Sequence, residues 1–141
     1  MSATQLAVLA RTSDPRIVLR RFLALDAVVT GTNALAYLAA SGPLGRLFGV
    51  DRTLLLELGV FLAVYAGAVG WLASRAHPAA LPVRVVIEAN FAWAALSLVA
   101  LAVWLSPTTA GAVWTVLQAL TVAGFAALQQ LALKARQGSS D

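Results

Sequence analysis

The 141 residues include no cysteine and a single histidine, His77. Without cysteine there is no disulfide, thiolate metal site, CxxC redox pair or cysteine nucleophile. One histidine cannot build a bis-histidine haem or a multi-histidine zinc site, and His77, beside Pro78, reads as a loop residue. Charge is scarce as well: Asp, Glu, Lys and Arg make up 11% of the chain, against roughly a quarter of an ordinary soluble domain. In its place stand 60% hydrophobic residues and a mean hydropathy of +0.83. A water-facing globule of this size would expose more apolar surface than soluble monomers tolerate, so the composition predicts an integral membrane protein. The net charge of +4 is spread over scattered arginines. These read as topology signals, so the expected partner is the lipid bilayer and not a nucleic acid.

The first fifteen residues show no charged start followed by an apolar run and a small-residue cleavage site, so no removable signal peptide is expected. Apolar sequence occupies residues 22–40, 53–73, 83–105 and 112–133. At 1.5 Å per residue each stretch reaches across a hydrocarbon core of about 30 Å. SGPLGRLFGVDR (41–52) reads as a loop from its Gly and Pro, with Leu44, Leu47 and Phe48 dipping into the interface and Asp51 capping the second span. SRAHPAALP and SPTTAG break the chain again, and the polar tail KARQGSSD is expected to fray. The expected fold is all-α, an integral-membrane four-helix bundle forming one transmembrane domain. Arg11, Arg16, Arg20, Arg21, Arg75, Arg84, Lys134 and Arg136 fall on one side of it, and only Arg46 and Arg52 on the other. The positive-inside rule then places both termini in the cytoplasm and the protein in the cell membrane.

Lipid-facing helices need only aliphatic residues and Phe, so the exceptions carry the information. Asp26, Thr30, Asn33 and Tyr37 are spaced 4, 3 and 4 apart and form one helical stripe. No cation stands one turn from Asp26. Glu57, one turn into the second span, also lacks a local cation, because Arg52 is at the wrong helical angle. On the same span Gly59, Ala63 and Gly67 form a small-residue face suited to close helix packing. Glu88 follows Arg84 by one turn, the spacing of an ion pair. Asn90 points about 200° away from Glu88, on a stripe with Trp93, Ser97 and Trp104. The fourth span carries Trp114, Gln118, Thr121, Phe125 and Gln129 on one face, and Trp104 and Trp114 suit an aromatic belt at the membrane surface.

Carboxyl groups, amides and aromatic rings thus gather in the bundle without a nucleophile triad, a phosphate loop or a DDxxD-type cluster for Mg²⁺. No cofactor is expected. A carboxyl group taken out of water holds its proton more tightly and can act as a Brønsted acid towards an apolar substrate. Ring faces can stabilise a developing carbocation. The candidate acids and bases are Asp26, Glu57 and Glu88; the candidate substrate-binding residues are Asn33, Tyr65, Asn90, Trp93 and Gln118.

In size, topology and acid placement, the segments RRFLALDAVVTGTNALAYL, LLLELGVFLAVYAGAVGWL and RVVIEANFAWAALSL resemble the small actinobacterial membrane-bound terpene cyclases of indole and diketopiperazine terpenoid pathways. These stand within a broader group of four-span integral membrane proteins. The resemblance spans about residues 16–136. It implies protonation of a terminal alkene or epoxide of a prenyl chain, cation–olefin ring closure and deprotonation. An apolar isoprenoid would be the substrate and a prenyltransferase the upstream partner. Two other readings fit the same residues: a small proton-coupled transporter forming a homo-oligomer, and a non-enzymatic accessory subunit whose polar stripes dock a larger membrane protein.

Overall fold

The computed structural model describes residues 14–139. The expected absence of a signal peptide, Arg11 and the last two residues of the tail lie outside them. The described chain forms five helices, α1 (Pro15–Ala39), α2 (Ser41–Phe48), α3 (Arg52–Ser74), α4 (Ala80–Val103) and α5 (Thr109–Ser139). All but α2 are long and apolar enough to cross a membrane.

Capping sets where the helices begin. Asp14 accepts a hydrogen bond from the Arg16 N–H at 2.9 Å, and Pro15 takes the first helical position, where its missing N–H costs nothing. α1 therefore starts seven residues before its apolar run. Asp51 caps α3 as its sequence position suggests, accepting from the Thr53 N–H at 2.8 Å. Residues 41–48 depart from the expected loop: they are helical after a bend at Ala40. Pro43 falls in the first turn, where N–H groups have no intrahelical partner anyway, and Gly49 closes the helix in the left-handed region at φ 70°. The tail does not fray after Lys134, because α5 remains helical to Ser139.

α1 packs between α3 and α5, and α4 packs on α5, whereas α3 and α4 barely meet and leave a cleft between them. The α1–α3 contact is close because it matches small residues. A Cβ on Gly59 would press on Leu38 and Tyr37, Gly31 faces Ala66, and Gly70 faces Ala27. Here the structure corrects the small-residue face expected from Gly59, Ala63 and Gly67. Ala63 and Gly67 are exposed, and Gly67 has open space beside it. Two steps of four residues rotate a helix by about 80°, whereas steps of seven and eleven return to within about 20°, so Gly59 shares its face with Ala66 and Gly70.

At one end of the bundle, Arg16 Nη1 lies 3.2 Å from His77 Nδ1, and Arg136 donates to the Pro78 carbonyl at 2.6 Å. The start of α1, the α3–α4 connection and the end of α5 therefore sit together. At the opposite end the Thr108 N–H donates to the Phe48 carbonyl at 3.0 Å and the Thr108 hydroxyl to the Leu47 carbonyl at 2.6 Å. These bonds bind α2 to the α4–α5 turn. Between the ends lie two apolar cores. One, around Leu19, Leu23, Val69, Leu72, Val83 and Leu133, fills the terminal end; the other, around Ala34, Tyr37, Leu55 and Leu62, fills the α2 end. The outward surface is also apolar, with Val64, Leu96 and Val103 among its exposed side chains. That surface suits hydrocarbon better than water.

Candidate functional site

A layer of polar side chains separates the two cores, centred on Asp26, which is 1% exposed. Its Oδ1 accepts from the Thr30 hydroxyl at 3.0 Å, and its Oδ2 accepts from Asn90 Nδ2 at 2.8 Å and Gln129 Nε2 at 2.9 Å. Asn90 Nδ2 also reaches Gln129 Oε1 at 3.1 Å, and the Tyr65 hydroxyl donates to Asn90 Oδ1 at 2.8 Å. Each of the four long helices contributes to this layer. Among the described residues no buried side-chain nitrogen or oxygen lacks a partner. Among the described residues no cation joins the carboxyl, and the ion pair of Arg16 with Asp14 at 3.7 Å is solvent-exposed at the terminal end of the bundle. A carboxyl removed from water and served only by neutral donors is retained against a desolvation penalty of several kcal/mol. Such a group marks a functional site more often than a scaffold.

Two cavities flank the layer on the α2 side. One of about 250 Å³ lies in the cleft between α3 and α4. Phe61 and Tyr65 form its α3 wall, Asn90 and Trp93 its α4 wall, and Thr30 contributes from α1. A second of about 220 Å³ lies nearer α2, walled by Tyr37, Phe48, Trp93, Trp104, Trp114 and Gln118. The rings are ordered by stacking and hydrogen bonding. Phe61 lies parallel to both Tyr65 (6.2 Å) and Trp93 (5.8 Å), and Phe48 to Trp114 (5.8 Å). Trp93 Nε1 donates to Gln118 Oε1 at 2.8 Å, and Trp114 Nε1 to the Tyr37 hydroxyl at 2.7 Å. Both cavities therefore present ring faces and few polar groups.

Of the residues singled out in the sequence, Asp26, Tyr65 and Asn90 come together in the polar layer, while Trp93 and Gln118 meet at the wall of the second cavity. Asn33 is half-buried, takes no part in the network and lines neither cavity. Glu57 and Glu88 are both exposed. Glu57 borders a shallow recess at the α2 end with Asp51 and Trp104, and Glu88 faces outward from α4, opposite Asn90. Neither belongs to the Asp26 layer or lines either cavity, although the Glu57 recess shares Val50, Leu54, Trp104 and Leu105 with the second cavity; of the three carboxyls only Asp26 is buried. Two members of the layer, Thr30 and Gln129, were not among the candidates. Each sits on a polar stripe visible in the sequence, yet Gln129 is 103 residues from the carboxyl it binds.

Asp26 itself lines neither cavity. Thr30 and Asn90 are the described residues that touch both its carboxyl and the space beside it. Among the described residues no three of His, Cys, Asp and Glu converge as a metal site. No family model matches the chain, and neither does any curated protein or solved structure. The geometry therefore carries the functional argument alone.

Proposed function

We propose that the protein is a membrane-bound cyclase that protonates a terminal alkene or epoxide of a prenylated substrate and so starts cation–olefin ring closure. The observation that carries this reading is a buried, cation-free carboxyl connected by one hydroxyl to a cavity walled by aromatic rings. Asp26 is the proton reservoir and Thr30 its outlet. A hydroxyl both donates and accepts, and its hydrogen rotates freely. With the carboxyl protonated on Oδ1, Asp26 donates to Thr30 Oγ1, and the hydrogen of Thr30 turns into the cavity. Transfer to the substrate then moves one proton from Asp26 to Thr30 and one from Thr30 to carbon or epoxide oxygen. Asn90 cannot serve in this way, because its amide group only donates to the carboxyl.

The cation that forms faces Tyr65, Phe61 and Trp93, whose ring faces attract positive charge. Loss of a proton from the cyclised cation to the Thr30–Asp26 pair restores the starting state. Substrate and product are isomers, so the reaction consumes no oxidant, reductant or cofactor. A prenyltransferase supplies the substrate, and the bilayer dissolves it. The excess of Lys and Arg at the terminal end, against Arg46 and Arg52 at the other, supports a cell-membrane protein with cytoplasmic termini.

The test is turnover of prenylated aromatic substrates and their terminal epoxides by the full-length protein in lipid nanodiscs. The expected product has the substrate's mass and additional rings. Asp26→Asn is expected to lower the rate at least a hundredfold, the usual scale of general acid catalysis, with helicity unchanged. A folded Asp26→Asn protein with full activity would refute the reading. An accessory-subunit role is the second reading, favoured by outward-facing Glu57 and Glu88 on otherwise apolar helices. One stoichiometric partner lost on replacing both by Gln would support it.

A further inference from the structure

Among the described residues Trp93 and Leu96 border both cavities, and the Trp93 indole stands where they would join. Two interactions hold the ring there, and a third holds its partner. Phe61 stacks on it at 5.8 Å and 7°, Gln118 accepts its Nε1–H at 2.8 Å, and the Gln118 amide is in turn fixed by donation to the Thr115 carbonyl at 3.0 Å. The partition therefore belongs to α4 and its catch to α5. Neither cavity alone, at about 250 and 220 Å³, reaches the roughly 300–1,000 Å³ typical of small-molecule sites. Joined, they fall within that range.

The way in is lateral. The rim of the α3–α4 cavity carries Phe61 and Leu96, which are 53% and 66% exposed. Both lie well inside their helices, at similar depth, where α3 and α4 fail to close. An opening at that depth meets hydrocarbon and not water, so it admits molecules dissolved in the membrane. At the far end the second cavity reaches Trp104 and Leu105, close to the α2 surface. A chain lying through both would place its polar end by Trp104 and its hydrocarbon terminus beneath Thr30.

We infer that Trp93 is a latched partition that sets the length of isoprenoid chain the protein accepts, with the Trp93–Gln118 hydrogen bond as the latch. This rests on the isoprenoid reading of the site but not on its being catalytic. A chain confined to one cavity leaves the latch closed, whereas a longer chain must break it. Opening one neutral hydrogen bond lowers the affinity of longer chains about fivefold.

The experiment is equilibrium binding of radiolabelled geraniol, farnesol and geranylgeraniol, with straight-chain alcohols of matched length, to the full-length protein in nanodiscs. The wild type is expected to bind all three prenyl alcohols above the straight-chain controls. Gln118→Leu, which removes the latch and keeps the volume, and Trp93→Phe are expected to raise the affinity for farnesol and geranylgeraniol about fivefold relative to that for geraniol. Equal effects at every length in folded variants would overturn the partition. Equal binding of straight-chain alcohols would show a nonspecific hydrocarbon site and overturn it too. Absence of any binding by the wild type would remove the isoprenoid reading along with it. Length-dependent binding without turnover would uphold the partition and reject the cyclase.

Discussion

Asn90 Nδ2 reaches Asp26 Oδ2 at 2.8 Å across the bundle, joining α4 to α1, two helices whose backbones are not neighbours. The same amide is positioned by Tyr65 on α3 and Gln129 on α5. Asn90 is therefore the hub that orients the carboxyl, and Asp26 is the group that the rest of the layer serves.

This arrangement makes the two residues exchangeable in stability but not in function. Asn90→Leu takes a donor from Asp26 and from Gln129 Oε1, while the Tyr65 hydroxyl keeps the Val86 carbonyl at 3.2 Å, and is expected to cost about 2 kcal/mol. Asn90→Asp sets a second carboxyl against the first and is expected to cost more, above roughly 3 kcal/mol. The double variant Asp26→Asn with Asn90→Asp restores one carboxyl and one amide in contact. It is expected to regain most of the thermal stability in detergent while turnover stays lost, since the acid no longer touches Thr30. A double variant no more stable than Asn90→Asp would disprove the pairing.

Glu57 and Glu88 give the contrast. Both are exposed and line neither cavity, so Glu57→Gln and Glu88→Gln are expected to change turnover less than twofold, against the hundredfold loss for Asp26→Asn. Thr30→Ser should stay within about fivefold of wild type, whereas Thr30→Val, similar in size but without a hydroxyl, should follow Asp26→Asn. Side-by-side initial rates in nanodiscs test all four, and an active Thr30→Val would eliminate the relay.

The sequence made the membrane-compatible helices and the Asp26 stripe legible, since both follow from local spacing. Of the four stripe residues Asp26, Thr30 and Tyr37 are buried, whereas Asn33 is half-buried and outside the polar layer. The inward face of α3 was not legible. Its aliphatic residues run all round, so no apolar stripe points to the core. Leu55, Gly59 and Leu62 are buried, and that rotation sends Glu57 outward. Gln129 could be read as polar and on one face with Gln118. Its link to a carboxyl 103 residues away depends on how α1 and α5 pack, and no local pattern encodes that.

The rotation of α3 can be tested with glycines. A side chain at Gly59 meets Leu38 at 2.9 Å and Tyr37 at 3.2 Å, while Gly67 has nothing within 4 Å. Gly59→Val is expected to destabilise the bundle by about 2 kcal/mol through overpacking. Gly67→Ala should be neutral or stabilise it by roughly 0.5 kcal/mol through helix propensity. Unfolding midpoints in detergent decide between this order and its reverse, and the reverse would place Gly67 in the α1–α3 contact.

The α2 end depends on one more glycine. A Cβ at Gly111 would fall onto the Phe48 carbonyl, and it would also meet Pro107 at 2.9 Å. That carbonyl already accepts the Thr108 N–H, and the Phe48 ring stacks on Trp114, which in turn donates to Tyr37. Gly111→Ala must therefore push α2 off the α4–α5 turn, because a backbone carbonyl held by a hydrogen bond cannot give way as a flexible side chain can. The expected loss is about 3 kcal/mol, with faster proteolysis at residues 104–108, where the second cavity nears the surface. Gly124→Ala, with open space around it, is the matched control and should leave cleavage unchanged and stability unchanged or slightly raised. Equal stability and equal cleavage rates for the two variants would mean that α2 does not close the cavity.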